Sequence, residues 1–480
     1  MISQSSSVLL LVAALAVFVA IGLRARAPGR DEVDEYLVAR ASQGPGMLGL
    51  SFLASGLGAW ILFAPPELGV LLGIDAVVGY ALAAAAPFLV LAYVGPRIRR
   101  LVPSGSGLTE FVRVRFGPAA GTVIALVSLL YMGVFVAAEL VAVGGLVELI
   151  GGVPRQATVL AVVAATLLYT TYGGLRASLR TDRWQSWLVV VLLGLAAAAA
   201  LSTVDAPATS VRETGLLGVD RGGMTTALTL IIALTAANLF HHGYWQRVWA
   251  ARDDAALRRG ALLGAAATVP VMLVAGGLGV LAAGTGLVEV PALAVFSLAG
   301  QLPGWLIAGV LVLGIALVAS SVDTLENGMA ALLATERPTL GLRGARVLTV
   351  LVILPAAGVS LVADSVLQLF LIADLLCAAL VGPALLGLWR RATTTGVVAG
   401  SLAGLGGALL AGGIAAGSVS GAVAAVTFPD AVPTLSPFAG AVVASTAVTV
   451  LVSLSGRGDA ELETLDAAVR ARAPEPTRTG

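Results

Sequence analysis

Apolar runs of about 20 residues, each closed by a short polar or Arg-bearing segment, recur along the whole 480-residue chain. A helix of that length crosses a bilayer core of about 30 Å. In lipid a backbone must satisfy its own N–H and C=O groups, so runs of this kind predict helices. Spans are predicted with centres near Leu15, Leu57, Ala86, Val134, Ala165, Leu195, Leu234, Val271, Leu317, Leu351, Leu376, Ala403 and Val448. A short re-entrant piece near Leu293 fits the connection before the ninth. The pattern reads as an all-α polytopic membrane protein of about 13 transmembrane helices, with its termini on opposite faces.

Composition agrees. The chain is 58% hydrophobic and 11% charged, where a soluble domain carries about 25% charged residues. All 28 basic residues are Arg, and only Arg155, Arg212 and Arg221 fall in connections on one side. The rest, including Arg24, Arg97, Arg180, Arg247, Arg258, Arg343 and Arg390, fall on the other, which the positive-inside rule makes cytoplasmic. That puts the N-terminus outside and the C-terminus inside, in the cell membrane. The leader MISQSSS has no positive charge, so the first span reads as a retained anchor rather than a cleaved signal. A net charge of +1 gives no reason to expect nucleic acid, and the single Cys377 allows no intramolecular disulfide. Gly456 to Gly480 is polar and reads as a disordered cytoplasmic tail.

Chemistry is sought where spans break the rules for an inert lipid-facing helix. The second contains LASGLGAW (Leu53–Trp60) followed by Pro65 and Pro66, a sequence prone to break and to free carbonyl oxygens at membrane depth. Close packing through small residues is the plainer explanation. The ninth contains ALVASSVDTLEN, with Ser320 and Ser321 adjacent and Asp323, Thr324, Glu326 and Asn327 close behind. Such serines often only bond back to the carbonyl four residues earlier, and the acids are compatible with a cytoplasmic helix end. Glu67, Glu139 and Asp374 are the other intramembrane acids. His241 and His242 are vicinal and do not share a helix face, which speaks against a metal site. Trp184, Trp245 and Trp249 fit an interfacial aromatic belt.

The segment YTTYGGLRASLRTDRWQ (Tyr169–Gln185) ends a span in a Tyr/Thr/Gly turn with three arginines and Asp182. Its Tyr172, Gly173, Gly174, Leu175, Ala177, Thr181, Asp182 and Gln185 resemble a string of the sodium:solute symporters. DEYLVARASQGPG (Asp34–Gly46), Gln246-Arg247-Val248 with Ala250-Ala251, SSVDTLEN and GLWRRATTTGVVAG (Gly387–Gly400) resemble further motifs of that family, in the same order. The resemblance runs from about Asp34 to Gly404. It implies a leucine-transporter-like inverted repeat of five plus five helices, spans 2–6 and 7–11. Residues 1–30 then hold a peripheral helix, 31–390 the transport core, 391–456 two peripheral helices and 457–480 the tail.

By the same resemblance, a sodium ion is held by the carbonyls of Ala54, Leu57 and Leu317 and the hydroxyls of Ser320 and Ser321. Asp182 lies on the ion's exit route, and Trp60, Phe135 and Tyr244 line the solute cavity. Gly56 stands where the proline-transporting branch has an acid, which leaves proton coupling open. Trp60 and Ile61 replace polar residues of the sugar-transporting branch.

The resulting expectation is sodium-coupled symport of a small organic solute, an amino acid such as proline or a small organic acid, with a urea-type solute as an alternative. No nucleotide-binding loop, nucleophile triad or metal-ligand cluster is seen, so the chain is not read as an enzyme. A membrane sensor would need a signalling segment after Arg457, and a passive channel a continuous polar stripe; neither is visible. The partners implied are a small solute and the lipid bilayer, with no nucleic acid and no obligatory protein partner.

Overall fold

In a computed structural model of the chain, residues 2–24, 32–299, 302–336, 341–362, 366–430, 432–456 and 460–471 are described. The fold is helical throughout, as the apolar runs predict. Its principal elements are α1 (Gln4–Leu23), α2 (Pro45–Gly56), α3 (Ala64–Leu72), α4 (Ile74–Leu101), α5 (Pro118–Gly151), α6 (Arg155–Thr203) and α7 (Arg221–Asn238). They continue as α8 (His242–Ala250), α9 (Asp254–Thr285), α10 (Gly304–Glu336), α11 (Leu342–Ser360), α12 (Val366–Leu385), α13 (Thr394–Ala416) and α14 (Leu435–Ser455). Between α9 and α10, where a hidden piece was expected, lie a short turn at Pro291–Leu293 and the helix Ala294–Ala299.

Among the described residues, ten helices are long and apolar enough to cross a membrane. Two bent pairs, Pro45–Gly56 with Ala59–Leu72 and Arg221–Asn238 with His242–Ala250, bring the number to as many as 12. α6 carries two of the predicted span centres, Ala165 and Leu195, in 49 residues, one on each side of the non-helical Gly174. At 1.5 Å per residue that is roughly 70 Å, more than twice a bilayer core. Gly174 interrupts α6 with φ 56 and ψ −145, a conformation that favours glycine, and a Cβ there would lie 2.3 Å from the Tyr36 carbonyl oxygen.

The bends are 61° and 63°, and they fall in spans 2 and 7, the first member of each expected set of five. In the first, α2 ends at Gly56, Leu57 and Gly58 are extended, and a short turn of helix (Ala59–Leu62) precedes α3. Pro65 and Pro66 sit in the first turn of α3, where a missing N–H costs nothing. The break is therefore made by the glycines ahead of the prolines. The two bent pairs are tied together at one end. The Gln43 N–H donates to the Ala250 carbonyl at 2.8 Å, and the Arg252 N–H to that of Gln43 at 2.9 Å.

At the periphery, α1 packs on α6 and leaves Leu9 and Val12 exposed, as a lipid-facing helix does. α13 and α14 approach closely through Gly407 and Gly440, in the manner of small-residue contacts between membrane helices. Two expectations are corrected. Trp245 and Trp249 are not in an interfacial belt: both are buried, and their indole N–H groups donate to the carbonyls of Leu239 (2.7 Å) and Val102 (3.1 Å). Trp184 alone of the three is exposed. The tail is not disordered over residues 460–471. Leu462, Leu465 and Val469 are buried there, and Asp466 accepts the Ser104 N–H at 2.9 Å. The rest of the tail lies outside the described residues.

Candidate functional site

The break in span 2 is closed from the side by α5. Glu139 is fully buried; its Oε2 accepts the Ala59 N–H at 2.7 Å, satisfying a donor at the start of the new helical turn. A Cβ on Gly58 would lie 1.5 Å from Glu139 Oε1, so only glycine leaves room for that carboxylate. The other oxygen, Glu139 Oε1, faces the Ser321 hydroxyl of α10, and neither of these two buried atoms has a well-formed hydrogen bond. Unpaired buried oxygens are rare because they are costly. Ala54 and Leu57 belong to the end of α2, where helix carbonyls lose their intrahelical partners. All five residues expected to hold an ion, Ala54, Leu57, Leu317, Ser320 and Ser321, are buried.

Below the break, Asp182 joins three helices. Its Oδ2 accepts from Ser51 Oγ of α2 at 2.5 Å and from Arg247 Nη2 of α8 at 2.9 Å; its Oδ1 accepts from Ser320 Oγ of α10 at 2.8 Å. Arg247 spends its remaining donors on Ser51 Oγ (2.7 Å), the Gly243 carbonyl (2.8 Å) and Thr324 Oγ1 (3.0 Å). The charged partner of Asp182 is neither Arg180 nor Arg183, its neighbours in the sequence. Its partner is Arg247, and both side chains are fully buried. Arg247 is likewise no cytoplasmic surface charge. Ser320 does not bond back along its own helix, because its hydroxyl goes to Asp182.

The acids after Ser321 do not mark a solvated helix end either. Asp323 accepts from Tyr169 (2.7 Å), Ser178 (2.6 Å) and Thr181 (3.0 Å), and Glu326 from Thr166 and Thr170 (both 2.8 Å). All of these donors lie on α6, on both sides of Gly174. The Tyr/Thr/Gly segment thus docks α6 onto the polar stretch of α10.

Above this network, Trp60, Phe135 and Tyr244, the three residues expected to share a cavity, do line one, together with Gly56, Tyr80, Tyr131, Asn238, Phe370 and Asp374. Trp60 stacks on Tyr80 with ring centres 5.5 Å apart and meets Phe370 edge-on at 6.2 Å. Phe135 meets Phe370 at 4.9 Å. His241, at the second break, stacks flat on Tyr244 at 4.1 Å and is wholly buried. No group of three or more His, Cys, Asp or Glu side chains suited to a metal ion occurs among the described residues.

Sequence reading missed the roles of Arg247, Ser51 and Asp374. Arg247 was hidden by the arginine count, which assigns charges near span ends to the aqueous side. Ser51 carries no local signal. Asp374 was visible as a mid-span acid, but nothing in its neighbours pointed to the cavity.

With this geometry in place, comparisons with known proteins give the family. The model of the sodium:solute symporter family matches residues 36–404. The spermidine transporter DUR31 of Candida albicans is 31% identical over 361 residues, 74% of this chain and 69% of that protein. Among solved structures, a Na+-coupled sialic acid symporter in a substrate-bound outward-open state superposes with a TM-score of 0.76 at 16% identity, covering 95% of this chain and 98% of its own. The inward-facing conformation of Mhp1 superposes with a TM-score of 0.56, also at 16% identity, covering 92% and 96%. These two structures share the leucine-transporter-like fold. The chain belongs to the sodium:solute symporter family, and it is a transporter rather than an enzyme.

Proposed function

We propose that the protein is a secondary active transporter of the cell membrane that imports a small organic solute together with sodium by alternating access. The observation that carries this reading is the pairing of a broken helix with the serines of α10. Asp182 holds Ser51 of α2 and Ser320 of α10 on one carboxylate, which fastens the two elements side by side. The carbonyls of Ala54, Leu57 and Leu317 and the hydroxyls of Ser320 and Ser321 then form an oxygen-rich ion site. A hard cation prefers oxygen ligands, and broken helices at the midplane are where this fold binds its ions. Ser321 Oγ, buried beside Glu139 without a well-formed hydrogen bond, is the side-chain oxygen most available to such an ion.

Asp182 stands directly beneath, bonded to Ser320, on the route an ion would take from this site inward. Trp60, Phe135 and Tyr244 supply the solute cavity. An amino acid such as proline or a small organic acid is one class of solute for it; the relative named for spermidine brings in organic amines as another. Uptake of a labelled solute panel into proteoliposomes, with and without an inward sodium gradient, tests the reading. Accumulation above equilibrium that collapses when sodium is equalised across the membrane supports it. Accumulation driven equally by a proton gradient in sodium-free buffer would replace sodium by the proton.

A further inference from the structure

Asp374 is 3% exposed, lies in the middle of α12 and lines the aromatic cavity. Among the described residues, no N–H or O–H donates a hydrogen bond to its carboxylate and no Arg or His pairs with it. The chain has no Lys, and no cationic side chain lines the cavity. Among the described residues the one buried Arg, Arg247, has its donors committed to Asp182, Ser51, Thr324 and the Gly243 carbonyl. A carboxylate taken out of water is strongly disfavoured unless an opposite charge or hydrogen-bond donors meet it.

We propose that Asp374 is the anchor for the charged nitrogen of an organic cation, and that the transported solute belongs to the class of protonated amines. This rests on the reading of the protein as a solute transporter with Trp60, Phe135 and Tyr244 in its cavity. The wall around Asp374 is aromatic: Trp60, Tyr80, Tyr131, Phe135 and Phe370. Ammonium groups are attracted to the faces of such rings, more strongly the drier the site. The carboxylate accepts the N–H bonds, and the rings receive the neighbouring CH2 groups.

Inorganic sodium fits the same place poorly. It wants several oxygens, whereas the wall around Asp374 is mostly ring and aliphatic carbon, which the CH2 groups of an amine can use and a bare ion cannot. An organic acid would meet Asp374 with like charge. A zwitterionic amino acid would satisfy Asp374 with its ammonium but find no cation lining the cavity for its carboxylate. The amine is the class whose charge complements what is there.

The test separates this inference from the transport reading. Equilibrium binding to the purified protein in detergent is measured by thermal stabilisation for 1,4-diaminobutane, its neutral counterpart 1,4-butanediol, proline and sodium chloride alone. The expected result is stabilisation by the diamine at a concentration at least tenfold below that of the diol or proline. Asp374→Asn should weaken diamine binding at least tenfold, Asp374→Glu should keep part of it, and Trp60→Ala should weaken it as well. Equal binding of diol and diamine, or a diamine response unchanged in Asp374→Asn, would overturn the proposal. If Asp374→Asn does not fold, the comparison of ligands on the unmodified protein and the Asp374→Glu variant decide it. Sodium-driven uptake of proline, indifferent to Asp374→Asn, would sink the amine assignment while leaving sodium symport intact. Diamine binding without any sodium-driven uptake would do the reverse.

Discussion

Asp182 and Arg247 pair at 2.9 Å with neither side chain exposed to solvent. The pair joins α6 to α8, the second half of a bent span, and Ser51 and Ser320 attach α2 and α10 to the same carboxylate. Removing one partner of a buried pair costs about 3–5 kcal/mol, because the other charge is left uncompensated. Asp182→Asn and Arg247→Gln should each lower the thermal stability of the detergent-solubilised protein sharply, and the double variant should recover part of the loss. On the proposed ion route, turnover should stay slow in the double variant even where stability returns, since the negative charge beneath the ion site is gone. Ordinary stability and ordinary turnover in Asp182→Asn would show that neither role is real.

Gly58 and Glu139 form a second interdependent pair. The three atoms nearest a Cβ at residue 58 all belong to the Glu139 carboxylate, so Gly58→Ala should displace it and break its bond to the Ala59 N–H. Leaving that buried donor unsatisfied costs about 1–3 kcal/mol. Glu139→Ala removes the obstacle and the acceptor together, so adding Gly58→Ala to it should cost little more. Thermal melts of the two single variants and the double variant measure the coupling. Strict additivity would mean that glycine is needed there for its backbone and not for the acid.

The span pattern made the helices legible because a bilayer imposes a length on every apolar run. The broken second span was legible for the same reason: Gly56 and Gly58 are poor choices inside a membrane helix unless the helix stops. The second break was not foreseen. Leu239 to His241 carry no glycine or proline, and the chain bends there because His241 and Tyr244 stack and Asn238 caps back onto Leu234 at 2.8 Å. Trp60, Phe135 and Tyr244 came to one cavity as the family resemblance implied. Arg247 and Asp374 were misjudged or passed over because a charge near or within a span has a meaning only once its partner is known. For Arg247 the partner is 65 residues away in sequence, and for Asp374 none is found among the described residues.

The arginine asymmetry predicts that the connection between α6 and α7, which holds Arg212 and Arg221, faces outside. Thr209 is exposed there, on the short helix Pro207–Glu213. On a Cys377→Ala background, Thr209→Cys should react with a membrane-impermeant maleimide in intact cells. A cysteine at Arg252, exposed at the opposite end of the bent span, should react only after lysis. The reverse pattern would invert the topology and with it the direction assigned to transport.

Ser320 and Ser321 are neighbours with unequal commitments, and this makes their roles separable. Ser320 already donates to Asp182 at 2.8 Å, whereas Ser321 Oγ is buried beside Glu139 without a well-formed hydrogen bond. If both oxygens ligate sodium, each is worth about 0.5–1.5 kcal/mol net. Losing both should raise the sodium concentration for half-maximal transport by about fivefold to 150-fold. Ser321→Ala should produce its share of that rise with a smaller loss of stability than Ser320→Ala, because the contact it removes, with Glu139, is not a well-formed hydrogen bond. Ser320→Ala should also strip a donor from Asp182, so it should lower thermal stability as well as sodium affinity. Sodium titrations of uptake, paired with melts of the same preparations, read both quantities. If Ser321→Ala leaves the sodium titration where it was, the hydroxyl holds no ion, and the site must be sought in the carbonyls of Ala54, Leu57 and Leu317 alone.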